Sequence, residues 1–218
     1  MILSNALRIL VLMLALSVFQ SVHADAGPVS VVSGTPIESH FQYWEDTGAN
    51  ATLAEVRALP ESAWQHRPTG KATFGITDSA YWLRVELHNQ TDRDQLLIAE
   101  LAYSQLDDVV FHELSGGTLL REFRTGDTRP FYPRDVDHPS MLFRFQVAPD
   151  KLKTLYIRVA TQGTMVMPLQ IWHQSDFYEA AANEQKLHFF YYGSLAVIIL
   201  INLAVFRTLR ERLYLYYA

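Results

Sequence analysis

The chain has 218 residues, of which 49% are hydrophobic and 19% are charged; its formal net charge is −5 and it contains no cysteine. This composition is typical of a globular protein and excludes a disordered or collagen-like chain. Without cysteine, thiol catalysis, disulfide bonds and thiolate zinc sites are excluded. Because the sequence has no basic patch with interleaved aromatic residues, nucleic acid is not expected as a partner.

The N-terminal 24 residues have the pattern of a secretory signal peptide. Arg8 precedes an apolar core from Ile9 to Phe19, and small residues stand at −3 and −1 of a cleavage site after Ala24. We therefore expect residues 1–24 to be removed and the remaining chain to be exported, with 25–38 as a linker. An uncleaved anchor helix is the alternative, although the apolar core is short for one.

A short helix is predicted near residues 52–59. Thr52 and Glu55 have the spacing of a capping box, and Pro60 would stop the helix. The residues predicted to form its buried stripe are Leu53, Val56 and Leu59.

Residues 39–175 are dominated by a period of two, which is typical of β-strands with one buried face. In the segment 81–88, one face carries Leu83, Val85 and Leu87, and the other carries Trp82, Arg84, Glu86 and His88. The segments 142–147 and 154–160 alternate in the same way. Further strands are predicted near 39–45, 95–101, 107–114, 118–124 and 165–172. We predict a mainly β domain, an antiparallel jelly-roll-like β-sandwich with one short helix; an immunoglobulin-like strand order stays open.

A membrane segment follows the predicted sandwich. Residues 176–187 are polar helix formers and are predicted to be a helical stalk, and residues 189–206 carry no charge, so a transmembrane helix is predicted at 188–207. Three arginines, at positions 207, 210 and 212, follow the apolar run and predict a cytoplasmic C-terminal end. Asn202 within the run predicts a helix–helix contact. Residues 208–218 are expected to be a cytoplasmic turn and the start of a truncated second helix.

Five segments in this order resemble one bacterial family. They are YWEDTGANATLAEVRALP, FGITDSAYWLRVELHNQTD, FRTGDTRPFYPRDVDH, TLYIRVATQGTMVMPLQIW, and YYGSLAVIILINLAVF with RERLYLYY. The chain from about His40 onward resembles the bacterial seven-transmembrane receptors with diverse intracellular signalling modules (7TMR-DISM). The similarity is to their second type of extracellular sensing domain, joined to the start of the membrane domain.

The resemblance implies a periplasmic jelly-roll domain similar to carbohydrate-binding modules, followed by seven membrane helices. It also implies a cytoplasmic output, usually a histidine kinase or a diguanylate cyclase. The sequence given ends inside what would be the second helix.

Aromatic and polar residues on one strand and one loop are the candidate ligand contacts, because sugars bind to exposed aromatic faces beside orienting polar groups. The candidate residues are Trp82, Arg84, Arg129, Tyr132, Arg134 and His138. For Trp82 the alternative is packing under a loop or against a sheet. For Arg129 and Arg134 it is a salt bridge with a turn aspartate, and for His138 a hydrogen-bonded loop position.

The sequence favours a binding protein over an enzyme. Neither a G-x-S-x-G nor an H-E-x-x-H motif is present, and the aspartates fall at predicted turns, which argues against catalysis and against a calcium site. We expect no cofactor and no metal.

The predicted function is a periplasmic, ligand-sensing, carbohydrate-binding-like domain of a receptor in the inner membrane, in contact with lipid. Its expected partners are a small-molecule or carbohydrate ligand and a homodimer or receptor partner. The alternatives are a stand-alone anchored accessory protein that pairs with a complete receptor and, more weakly, an anchored sugar-active enzyme.

Overall fold

The computed structural model describes residues 28–32, 37, 41–67, 71–130 and 134–217. The predicted signal peptide and Tyr132 lie outside these residues. The strands are β1 Val29–Val31, β2 Phe41–Asp46, β3 Gln65–Arg67, β4 Lys71–Ile76, β5 Ala80–Asn89, β6 Gln95–Leu101, β7 Asp108–Ser115, β8 Thr118–Thr125, β9 Met141–Val147, β10 Leu152–Ala160 and β11 Thr164–His173. The α-helices are α1 Leu53–Arg57, α2 Gln174–Leu209 and α3 Leu213–Tyr216, and a 3₁₀ helix covers Glu61–Ala63.

The described strands form two sheets. One has seven strands in the order β3-β2-β5-β10-β7-β8, with β1 added in parallel to one end of β5, and the other has four strands in the order β4-β11-β6-β9. From β4 onward the chain passes repeatedly between the sheets, and every pairing except β1 with β5 is antiparallel. The predicted jelly-roll-like sandwich is confirmed.

The core lies between the two sheets and is built from the alternating faces that the sequence predicts. Leu83, Val85 and Leu87 of β5 face Phe143, Phe145 and Val147 of β9, and all six side chains are buried. The rings of Phe111 and Phe143 stack across the sandwich with centroids 4.6 Å apart. Burial of this apolar surface is the main source of stability for a fold without disulfides.

Several elements differ from the sequence predictions. The segment predicted to be a linker contains β1, whose Val29 and Val31 are buried beside the part of β5 that β2 leaves uncovered. Strands β3 and β4 were not predicted. Helix α1 has the predicted capping box at Thr52 and Glu55, but only Val56 of its predicted stripe is fully buried.

The predicted stalk and transmembrane helix form one continuous helix, α2, which begins directly after β11. Within the described residues, α2 is the one helix that is long and apolar enough to cross a membrane, by length and composition, and its apolar part is not buried inside the structure. Phe177 in its first turn is 5% exposed and packs against Ile98 and Leu142 on the outer face of the four-stranded sheet. The start of α2 is therefore docked on the sandwich.

Candidate ligand-binding site

The outer face of the seven-stranded sheet carries two rows of side chains, all of them aromatic or polar except Val110. Strand register aligns the first row across five strands, and its members are Gln42, Arg84, Tyr156, His112 and Glu122. The second row runs beside it and consists of Trp44, Trp82, Arg158, Val110 and Arg124. A row arises because residues on one face of neighbouring strands stand side by side.

Residues 51–64, which we call the cap, lie over part of these rows. The cap contains α1 and the 3₁₀ helix, and it places Val56 and Trp64 against Trp82, Leu114 and Tyr156 in a small apolar cluster. The cluster lies on the opposite side of the sheet from the main core, so the seven-stranded sheet is covered here on both faces.

Trp82 lies under the cap and is 1% exposed. Its ring stacks on the ring of His112, with centroids 5.5 Å apart. Trp82 is therefore not the exposed stacking surface that the sequence suggested, and the alternative of packing under a loop describes its place. Strand alternation predicts which face a residue occupies, but not whether another segment covers that face.

Arg84 is held between the sheet and the cap. Its Nε donates to Gln42 Oε1 at 2.5 Å, its Nη2 donates to Glu61 Oε1, and its guanidinium lies 4.5 Å from the ring centroid of Trp64. The Arg84 guanidinium holds the pKa of the Glu61 carboxyl below its usual value. Arg84 thus joins the cap to the sheet by an ion pair and by stacking.

Arg129 lies at the edge of the same face. Its Nη2 donates to Asp108 Oδ1 at 2.7 Å, and Arg158 of the second row donates to the other oxygen of Asp108 at 3.1 Å. For Arg129 the structure therefore shows a salt bridge with an aspartate, which was the alternative to a ligand contact in the sequence analysis.

Arg134 and His138 lie on the other side of the molecule. Arg134 Nη1 donates to the carbonyl of His138 at 3.0 Å, and His138 Nδ1 accepts from the Ser140 amide at 3.1 Å. The His138 ring meets the ring of Phe177 edge-on, with centroids 5.3 Å apart. The structure therefore brings Trp82 and Arg84 together and separates them from Arg134 and His138, of which His138 contacts the start of α2.

Sequence reasoning missed Trp64 of the cap and, among other residues of the face, Gln42, His112 and Tyr156. The alternation in 154–160 places Tyr156 outward, so Tyr156 could have been predicted as a residue of this face. Trp64 belongs to a segment without strand alternation and could not. Burial lowers the pKa of His112 and raises the pKa of the Tyr156 phenol, so both are neutral near pH 7. Among the described residues, no group of three or more His, Asp or Glu is placed to hold a metal ion.

The solved structures that are similar to the chain include the following two. A structure of TmCBM61 in complex with beta-1,4-galactotriose has 9% sequence identity and a TM-score of 0.30, and the match covers 62% of this chain and 88% of that one. A crystal structure of a GH31 alpha-xylosidase from Xanthomonas citri has 9% identity and a TM-score of 0.27, and the match covers 63% of this chain and 16% of that one. No curated protein matches the chain.

A family model described as 7TMR-DISM extracellular 2 matches residues 38–173. These bounds begin just before β2 and end with β11, so they enclose the sandwich apart from β1. An extracellular domain family and a candidate membrane-spanning helix together fit a membrane protein whose β domain lies outside. Since the match spans more than half of the chain, the protein belongs to the 7TMR-DISM extracellular 2 family.

Proposed function

We propose that the chain is the ligand-sensing part of a membrane-bound bacterial signalling receptor and has no catalytic activity of its own. In this proposal the sandwich lies in the periplasm and binds a small molecule or a carbohydrate. Helix α2 crosses the inner membrane, and the C-terminal end is cytoplasmic. Family membership supports the sensing role, and the arginines after the apolar part of α2 support the orientation.

The observation that carries the proposal is the junction between sandwich and membrane helix. Strand β11 ends at His173 and α2 begins at Gln174, so no flexible linker separates them. Phe177 fixes the first turn of α2 to the four-stranded sheet. A change in the arrangement of the sandwich would therefore move the helix.

A ligand would act through this junction by preferring one of two arrangements of sandwich and helix. Only a difference in affinity between the two can shift their populations. Of the predicted ligand residues, Trp82 and Arg84 stay in the proposal as parts of the covered face, and Arg134 and His138 are proposed to couple the β8–β9 loop to Phe177 instead.

A homodimer or a receptor partner remains part of the proposal, but Asn202 gives it little support. Its amide donates to the carbonyls of Ile198 at 3.1 Å and Tyr217 at 3.2 Å, both in its own chain. The amide therefore has acceptors within its own chain, one of them at the C-terminal end of α3, and needs no partner chain.

Cysteine labelling in intact cells tests the proposed orientation, and the natural chain has no cysteine that would interfere. Lys151→Cys places a thiol on an exposed turn of the sandwich, and Glu211→Cys places one beyond α2. A maleimide that permeates the outer membrane but not the inner one should label Lys151→Cys in intact cells and Glu211→Cys only after lysis. Labelling of both thiols, or of Glu211→Cys alone, in intact cells would overturn the proposal.

A further inference from the structure

We propose that the cap and the two rows of the seven-stranded sheet together form a binding site for a neutral, polyhydroxylated ligand of the sugar type, and that the cap closes over the ligand. The inference rests on the proposed sensing function, and it adds the place of the ligand, its chemical class and the segment that must move to admit it.

Two buried indole groups, one in the cap and one beneath it, lack hydrogen-bond acceptors. Trp64 Nε1 and Trp82 Nε1 have no partner among the described residues, although their side chains are 5% and 1% exposed. Buried polar groups are nearly always paired, and leaving one unpaired lowers stability. Two such donors in one cluster point to acceptors that a ligand would bring.

Aromatic rings surround these donors. The Trp64 ring lies 6.0 Å from the ring of Tyr156, and the Trp82 ring stacks on His112. A sugar presents a face of C–H groups that packs on such rings and a rim of hydroxyl oxygens that accepts hydrogen bonds. A sugar would therefore use both the aromatic rings of the cluster and its unpaired indole N–H donors.

The charges around the cluster favour a neutral ligand. Arg84 is paired with Glu61, and Arg158 is paired with Asp108 at 3.1 Å. His112 is held neutral by burial. An anionic ligand would have to displace a carboxylate from one of these arginines, whereas a neutral ligand can use the indole donors without breaking a charge pair.

The cap is suited to move because it contains no strand and therefore has no backbone hydrogen-bond ladder to either sheet. Helix α1 has five residues, too few to be stable in isolation. Its polar attachments include Arg57 Nη2 to the carbonyl of Gly117 at 2.8 Å and the pair of Arg84 with Glu61, whose side chain is 60% exposed. Local opening of such a segment requires less free energy than global unfolding. The apparent affinity for the ligand then depends on the fraction of molecules with the cap open.

Sugar titrations of the full chain in detergent micelles test the inference. The probes are glucose, galactose, xylose and the β-1,4-linked trisaccharides of glucose and galactose. The readout is tryptophan fluorescence, since all four tryptophans lie in the sandwich and three of them, Trp44, Trp64 and Trp82, lie in or next to the covered cluster.

Two variants and a control locate the site. Glu61→Gln removes a charge that holds the cap, so it should tighten binding of the best probe about fivefold. Trp64→Phe keeps an aromatic ring but removes the donor, so it should weaken binding about tenfold. Glu179→Gln, at an exposed position in α2, should leave the dissociation constant unchanged.

Two results would overturn the inference. A dissociation constant that is unchanged in both Glu61→Gln and Trp64→Phe would place the ligand elsewhere. Failure of every probe to bind either the natural chain or Glu61→Gln at millimolar concentrations would exclude the ligand class. Both results leave the proposed membrane orientation standing, because cysteine labelling tests that orientation separately.

Discussion

Gly126 shows how one residue position fixes a contact between two loops. Its φ is +144°, and a Cβ atom there would lie 2.0 Å from the backbone oxygen of Asp107. The next residue, Asp127, donates its amide to the carbonyl of Leu106 at 2.8 Å. The chain leaving β8 can therefore run against the start of β7 only if this position has no side chain.

Gly126→Ala should destabilise the protein by more than about 1 kcal/mol, because the backbone conformation is strained for alanine and the Cβ atom collides with main chain. Gly163→Ala is the matched control: its Cβ would meet Thr161 Oγ1 at 3.6 Å, an ordinary contact. Urea unfolding of the full chain in micelles, followed by tryptophan fluorescence, gives both values. Equal free energies of unfolding for the two variants would contradict the prediction.

His112 makes stability depend on pH. Burial lowers its pKa in the folded protein, and the 3.6 Å contact of Nε2 with Glu122 opposes that shift without reversing it. Below the unfolded-state pKa of about 6.5, the unfolded chain binds a proton that the folded chain does not. Stability therefore falls as pH decreases from about 6.5 toward the lower pKa of the folded state.

His112→Gln should remove this contribution. Between pH 7 and pH 5 the variant should lose less free energy of unfolding than the natural chain, by about 1.4 kcal/mol for each unit by which the folded-state pKa is lowered. Unfolding curves at a series of pH values give the two slopes. Parallel slopes would show that His112 is protonated as readily in the folded chain as in the unfolded one.

At the scale of elements, α1 is short and depends on its capping box. The Thr52 amide donates to Glu55 Oε2 at 2.7 Å, and Thr52 Oγ1 accepts from the Glu55 amide at 3.4 Å. Helix α1 in turn buries Val56 over the outer face of the sheet. Loss of the N-cap hydroxyl of Thr52 should therefore loosen residues 51–64, the segment that covers Trp82.

Thr52→Ala should lower the free energy of unfolding by about 1 kcal/mol, the usual effect of removing a helix N-cap hydroxyl. Thr52→Ser keeps the hydroxyl and serves as the control, with a change of a few tenths of a kcal/mol. The urea midpoints of the three proteins are compared. If the alanine and serine variants unfold at the same midpoint, the capping box does not stabilise α1.

Strands that place every second side chain in the main core were predictable from the sequence. In β5, β9 and β10 the residues that face this core are apolar and alternate along the strand with residues of the opposite face, which gives the period of two. Strand β4 has no such pattern, since its pairing with β11 is interrupted by a register shift and Gly75 has a φ of +74°. Trp82 was assigned to the correct face, but its burial depends on the cap, and strand alternation does not predict where the cap packs on the sheet.

At the scale of the whole molecule, the sandwich and α2 form one connected unit. The His138 and Trp172 rings contact Phe177 edge-on, and Trp172 Nε1 donates to Glu100 Oε2 at 2.8 Å. These contacts tie the β8–β9 loop, β11 and β6 to the first turn of α2. A sensing domain that controls a membrane helix needs such a connection, because motion cannot pass through a flexible linker.

The most direct test of this connection is the distance between the sandwich and α2. Double electron–electron resonance measures this distance between two spin labels on the protein in nanodiscs. Spin labels at Lys151→Cys and Gln185→Cys occupy exposed positions on the two parts of the chain. The doubly labelled chain without any further substitution should give one narrow distance distribution. Phe177→Ala should broaden it, and Tyr178→Ala, which removes an exposed ring in the same turn, should not. A broad distribution in the doubly labelled chain, unchanged by Phe177→Ala, would contradict the view that the sandwich moves the membrane helix.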